Sequence, residues 1–133
     1  MLAKEVQAAA VFAEECLLGA LLIEATDLND DSAKEVSRIL TPQDFTDAYQ
    51  GRGLRERIYS AMCNCPHPDQ VAVAEELNRQ GKLQEGDCAY LIQLIWRCPM
   101  SLDYMHYAEM VRRYSEQRNP RRKTPEKWGI RID

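Results

Sequence analysis

The sequence predicts an all-α fold, a compact bundle of about six helices, and three observations predict it. Apolar residues recur at three- and four-residue steps in segment after segment, helix caps and breakers separate those segments, and strand-like alternation is confined to Ile130 to Ile132. With 133 residues, 45% of them hydrophobic, the chain can bury a core without disulfides or a metal.

The first helix is predicted over Ala8 to Glu24. Ala9, Ala10, Phe12, Ala13, Cys16, Leu17, Ala20, Leu21 and Ile23 share a helical period, with Glu14 and Glu15 placed on a solvated opposite side. Gly19 interrupts this helix at a cost of about 1 kcal/mol relative to alanine, so another helix is expected to cross closely there. Ser32 and Glu35 have capping-box spacing and open a second helix carrying Val36, Ile39 and Leu40. Thr41, Pro42 and Asp44 form a fresh cap and a short turn that presents Phe45 to the core.

The pattern lapses from Tyr49 to Gly53. Leu54, Ile58, Tyr59, Ala61 and Met62 then make a helix that ends at Cys63-Asn64-Cys65-Pro66-His67-Pro68. Asp69 caps the next, with Val71, Val73, Ala74 and Leu77 inward and Gly81 as the left-handed residue beyond its end. Asp87 to Trp96 follow, bringing Ala89, Leu91, Ile92, Leu94 and Ile95 inward. After Pro99, Ser101 is placed to cap a last helix on which Leu102, Tyr104, Met105, Tyr107, Ala108, Val111 and Tyr114 cover nearly half the circumference. No helix is predicted past Asn119-Pro120. The domain reading is therefore 1–117 for the helical body and 118–133 for a basic tail.

Charge divides the same way. Residues 1–111 hold 9 Lys and Arg against 18 Asp and Glu, a net −9, while residues 112–133 hold 8 against 3, a net +5. An acidic body repels phosphate, so any polyanion contact is expected from the tail, through Arg118, Arg121, Arg122, Lys123 and Lys127. The longest apolar run, Cys16 to Ile23, is too short to cross a bilayer, and the acidic N-terminal region is unlike a secretory signal. Five cysteines without framework spacing fit reduced thiols, and the cytoplasm is the expected compartment.

The chemistry-bearing motifs are few. No phosphate-cradling G-x-x-x-x-G-K-[ST] occurs, and Gly81-Lys82 reads as a helix end. Cys63, Cys65 and His67 form a C-x-C-x-H set that lacks zinc-knuckle spacing and a downstream pair, so no metal is assigned. His106 has no nameable nucleophile beside it, and the pairs Glu14-Glu15 and Glu75-Glu76 read as solvated helix faces. The stretch from Val71 to Leu77, followed by Gly81, is similar to the opening of a helix-turn-helix, but Glu85 and Asp87 stand where a DNA reader needs Arg or Asn. No catalytic or cofactor-binding residue is assigned.

Three blocks carry a resemblance. AEECLLGALLIE (Ala13 to Glu24), ILTPQDF (Ile39 to Phe45) and a long third block resemble the N-terminal domain of the bacterial replicative DNA helicase, the DnaB family. The third runs from Val73-Ala74-Glu75-Glu76-Leu77 through Gly81-Lys82-Leu83, Ala89-Tyr90-Leu91 and Cys98-Pro99 to Tyr107-Ala108-Glu109-Met110-Val111-Arg112. The sequence departs from the family at Gln50-Gly51-Arg52-Gly53, which is longer and lacks the usual histidine, and at the shorter Cys63–Pro68 connection. In the family a second hairpin helix, a linker and the ATPase ring follow, whereas here the sequence has one hairpin helix and the tail.

The resemblance implies a head domain without the engine: a non-catalytic, cofactor-free protein–protein interaction module of DNA replication. It implies self-association into a dimer or larger collar, with primase, a helicase loader or full-length helicase as partners and no membrane contact. The last helix is the expected contact surface, with Tyr104, Tyr107, Met110, Val111 and Tyr114 as its core and Arg112 and Arg113 as its charged rim. The alternative is a small helical DNA-binding regulator that uses the basic tail.

Overall fold

In a computed structural model that describes residues 2–27 and 31–122, six α-helices and two 3-10 turns follow one another with no strand among the described residues. They are α1 (Leu2–Thr26), α2 (Ser32–Val36), α3 (Leu54–Cys63), α4 (Gln70–Arg79), α5 (Asp87–Arg97) and α6 (Tyr104–Arg118), with 3-10 turns at Pro42–Asp44 and Ser101–Asp103. α1 is the axis of the bundle. It packs chiefly on α6 and α5, while α2 lies against α6 and α1, and α4 packs on α3 and α5.

Burial on more than one side explains the composition of α1. Leu17 and Leu18, and Leu21 and Leu22, are adjacent pairs that point different ways on a helix, yet all four are fully buried. By length and composition α1 could cross a bilayer, with a mean hydropathy of 1.8, and half of that stretch is buried inside the domain. Gly19 is the crossing point expected from its sequence position: a Cβ there would lie 2.2 Å from the Leu94 carbonyl oxygen on α5.

Glu14 corrects the reading of a solvated acidic face. It is 1% exposed and accepts hydrogen bonds from the Thr46 amide at 2.8 Å, the Thr46 hydroxyl at 2.9 Å and Arg55 Nε at 2.8 Å. Burial raises its pKa against the opposing pull of Arg55 and Thr46. Sequence spacing places a glutamate on a helix wheel but does not reveal that a distant arginine will meet it.

Two predicted caps do not form. Ser32 lies inside α2 and is buried, the N-cap is Asp31 without a side-chain bond, and Glu35 accepts instead from the Tyr104 hydroxyl at 3.1 Å. The α-helix ends at Val36, and Ile39 and Leu40 follow in turns. Ser101 does not cap α6 either. It sits in a 3-10 turn and donates to the buried Glu24 at 2.7 Å.

The other caps form as their spacing demands. The Thr41 amide donates to Asp44 Oδ2 at 2.8 Å, and Phe45 is buried with its ring centroid 5.0 Å from that of Tyr59. The Ala72 amide donates to Asp69 Oδ1 at 2.8 Å. Past α4, Gly81 adopts φ +72°, its amide donates to the Asn78 carbonyl and the Lys82 amide reaches back to the Leu77 carbonyl, the paired bonds of a Schellman ending. α5 turns Leu91 and Leu94 inward but leaves Ala89 and Ile92 exposed, which corrects the predicted face.

Candidate functional site

α6 carries the predicted contact residues, and the fold divides them. Tyr107 and Val111, 8% and 1% exposed, belong to the core together with Ala108, because this side of α6 lies on α1. That corrects their assignment to a surface. An amphipathic helix announces that its apolar face will be covered, and here α1 of the same chain covers it. Tyr104, Met110 and Tyr114 are half-buried against the core. Arg112 is held by Glu109 and Glu116 along its own helix, and Arg113 is exposed. The charged rim therefore remains at the surface while the middle of the patch does not.

The basic cations also divide. Arg118 ends α6 and donates from Nη2 to the Asp44 carbonyl at 2.7 Å. Arg122 is drawn into the domain, where Nε and Nη2 meet the two Asp44 carboxylate oxygens at 2.7 and 2.8 Å and Nη2 also donates to the Ile39 carbonyl at 2.9 Å. Arg121 is exposed, and Lys123 and Lys127 lie outside the described residues. Two of the five expected polyanion contacts are thus engaged in holding the end of α6 to the 39–46 segment.

Asp44 is the centre of that clasp and makes it sensitive to acid. Burial by itself would raise its pKa, but hydrogen bonds from Arg122, from the Ser115 hydroxyl at 2.6 Å and from the Thr41 amide together outweigh burial and hold it below the ordinary value. A carboxyl with a depressed folded pKa contributes stability that is present above its unfolded pKa, about 3.9, and is lost as pH falls through the folded value. Asp44→Asn is therefore expected to cost about 2 kcal/mol at neutral pH. In thermal melts, the gap between the variant and the parent should shrink steadily below pH 4. A gap that stays constant down to pH 2 would sink the assignment.

Cys63, Cys65 and His67 lie along an open groove of about 510 Å³ between the start of α2 and the α3–α4 connection. They do not converge: among the described residues no group of three His, Cys, Asp or Glu side chains is arranged to hold a metal. The Cys65 thiol donates to the Ala72 carbonyl at 3.6 Å, and burial, reinforced by Glu76 and Asp69, pushes its pKa up, away from the thiolate a metal requires. On the α4–α5 pair the two acids noted in the sequence part ways: Glu85 is exposed and Asp87 is not. Asp87, in the first turn of α5, is buried against Arg57 rather than presented outward.

The most accessible apolar surface is one the sequence reading missed. On α5, Trp96 is 84% exposed and Ile92, one turn earlier, is 50% exposed, and Met100 and Leu102 continue the exposed apolar run past the helix end. The signal was present in the spacing. Asp87, Leu91, Leu94 and Cys98 form one helical stripe and Ala89, Ile92 and Trp96 the opposite one, but with both stripes apolar the period alone does not say which is inside. A tryptophan standing free on a rigid helix is the kind of side chain that dominates protein contacts, whereas a core would have enclosed it.

A family model described as DnaB-like helicase N terminal domain matches residues 6–113. No curated protein matches the chain.

Proposed function

Since the chain belongs to the DnaB-like helicase N-terminal domain family, we propose that it is a non-catalytic protein–protein interaction module of DNA replication. It works in the cytoplasm, associates with itself and docks a primase, a helicase loader or a full-length replicative helicase. The observation that carries this reading is the α5 stripe of Ile92 and Trp96. Leu91 and Leu94 fix the helix on its inner side, so the outer residues are pre-positioned and little conformational entropy is lost when a partner covers them. Indole burial at the centre of a contact is worth about 2 kcal/mol or more, roughly a thirtyfold change in affinity.

The half-buried Tyr104, Met110 and Tyr114 and the charged Arg112 and Arg113 are assigned a secondary contact on α6, and Arg121, Lys123 and Lys127 a weak, salt-sensitive contact with DNA. Purified primase and helicase, together with sedimentation of the chain alone, test the reading. Trp96→Glu should abolish retention or self-association while leaving the helical circular dichroism and Tm unchanged, because the side chain touches little of its own fold. A chain that stays monomeric at high micromolar concentration and retains neither protein would overturn the proposal. Salt-resistant, sequence-selective duplex binding would favour the regulator instead.

A further inference from the structure

The segment between the Pro42–Asp44 turn and α3 is not slack. Tyr49 to Arg52 form a tight turn closed by the Arg52 amide on the Tyr49 carbonyl at 3.0 Å, with Gln50 at φ +54° and Gly51 at φ +77°. Positive φ at both central residues is the type I′ pattern, and holding glutamine there costs about 1 kcal/mol or more. The buried Glu56 meets that cost. Its carboxylate accepts from the Tyr49 amide at 2.8 Å and from the Gly51 and Gly53 amides at 3.2 Å, while Gln43 donates to it at 3.1 Å. Arg57 holds the Arg52 carbonyl from below. Strain kept in place by this many bonds is a feature of recognition loops more than of plain connections.

The turn displays a consistent chemistry. Tyr49 is 59% exposed, and the Arg52 guanidinium carbon lies 6.0 Å from its ring centroid. A second cation arrives from the end of α4: Lys82 Nζ would lie 3.3 Å from a Cβ at Gly51. Neither Arg52 nor Lys82 forms an ion pair among the described residues, although residues 1–111 hold twice as many acids as bases. Arg52 and Lys82 thus reach one turn from positions 30 residues apart, and the Glu56 carboxylate beneath it is buried and committed to the Tyr49, Gly51 and Gly53 amides.

We propose that the Tyr49–Arg52 turn, with Lys82, binds a short acidic protein segment in which one or two carboxylates flank an aromatic or apolar side chain. The carboxylates would take Arg52 and Lys82, and the neighbouring side chain would lie on the Tyr49 ring. Two cations match two carboxylates. A nucleic-acid strand, charged at every residue, would run on into the acidic remainder of the body and gain too few phosphate contacts. This site is separate from the α5 stripe and does not depend on it.

Fluorescence anisotropy on the full chain tests the proposal, with a labelled peptide alternating glutamate and phenylalanine, its lysine–phenylalanine counterpart and a labelled oligothymidylate. The acidic peptide should bind saturably. Arg52→Glu and Lys82→Glu should each weaken it about tenfold, and Tyr49→Ala should weaken it too, with thermal unfolding unchanged because all three side chains are at the surface. Trp96→Glu should leave this binding intact, which separates failure here from failure of the α5 contact. Absence of saturable binding, equal binding of the basic peptide, tighter binding of the oligothymidylate or indifference to the three substitutions would each overturn the assignment.

Discussion

Gly19→Ala is expected to destabilise the domain by about 3 kcal/mol, although alanine is the better helix former by about 1 kcal/mol. The added methyl would sit 2.2 Å from the Leu94 carbonyl oxygen, 2.9 Å from the Leu94 carbonyl carbon and 3.1 Å from Cys98 Cβ. The first two obstacles are backbone, so no rotamer change relieves them, and α1 and α5 must move apart along a contact buried on both sides. Gly81→Ala provides the contrast. Its Cβ would meet nothing within 4 Å, but φ is +72°, so only the left-handed strain of about 1–2 kcal/mol is expected. Urea unfolding of the two variants should rank them in that order. Equal stability of parent and Gly19→Ala would mean that the helices do not cross at this residue.

Asp87→Ala is expected to cost still more, about 3–5 kcal/mol, because it strands a buried guanidinium. Arg57 and Asp87 side chains are 4% and 5% exposed. Arg57 Nη2 lies 2.6 and 2.8 Å from the two Asp87 oxygens, and the same carboxylate accepts from the Gln84 amide at 2.9 Å, fixing the entry to α5. Arg57 Nε has no hydrogen-bond partner among the described residues, so the arginine depends heavily on this one acid. A fall in Tm of roughly 10–20 °C is expected for a domain of this size. The double variant Arg57→Met with Asp87→Leu removes both charges at similar volume and should recover most of the loss. If it is no more stable than Asp87→Ala, the cost is not electrostatic.

Legibility in the sequence followed the range of the interaction. The helix ends at Asp69 and Gly81, the Thr41–Asp44 turn and the burial of Phe45 could be read because the cap, the breaker and the residue they serve lie within a few positions. Gly19 could be read because a glycine in an otherwise strong helix has few explanations. Glu14 and Asp87 could not, since their partners Arg55 and Arg57 are 41 and 30 residues away and nothing local distinguishes a buried carboxylate from a solvated one. Of the contact surface, the sequence located an amphipathic α6 but not its cover, and it placed Ile92 inward because α5 is apolar on two sides. Ser32 and Ser101 had the right spacing for caps, yet tertiary partners claimed the side chains nearby: Tyr104 binds Glu35, and Ser101 itself binds Glu24.

The central position of α1 also governs the order of events during synthesis. Of the six helices, α1 is the most apolar, and it is made before the two that shelter it, α5 and α6. Until they emerge, α1 is a sticky, half-finished amphiphile, exposed to chaperones and to other nascent chains. Folding is therefore expected to wait for the far end of the domain and to run slower than is usual for an all-helical protein. A ribosome stalled before Tyr104 should hold a protease-sensitive chain, and one stalled after Arg122 has cleared the exit tunnel a resistant one.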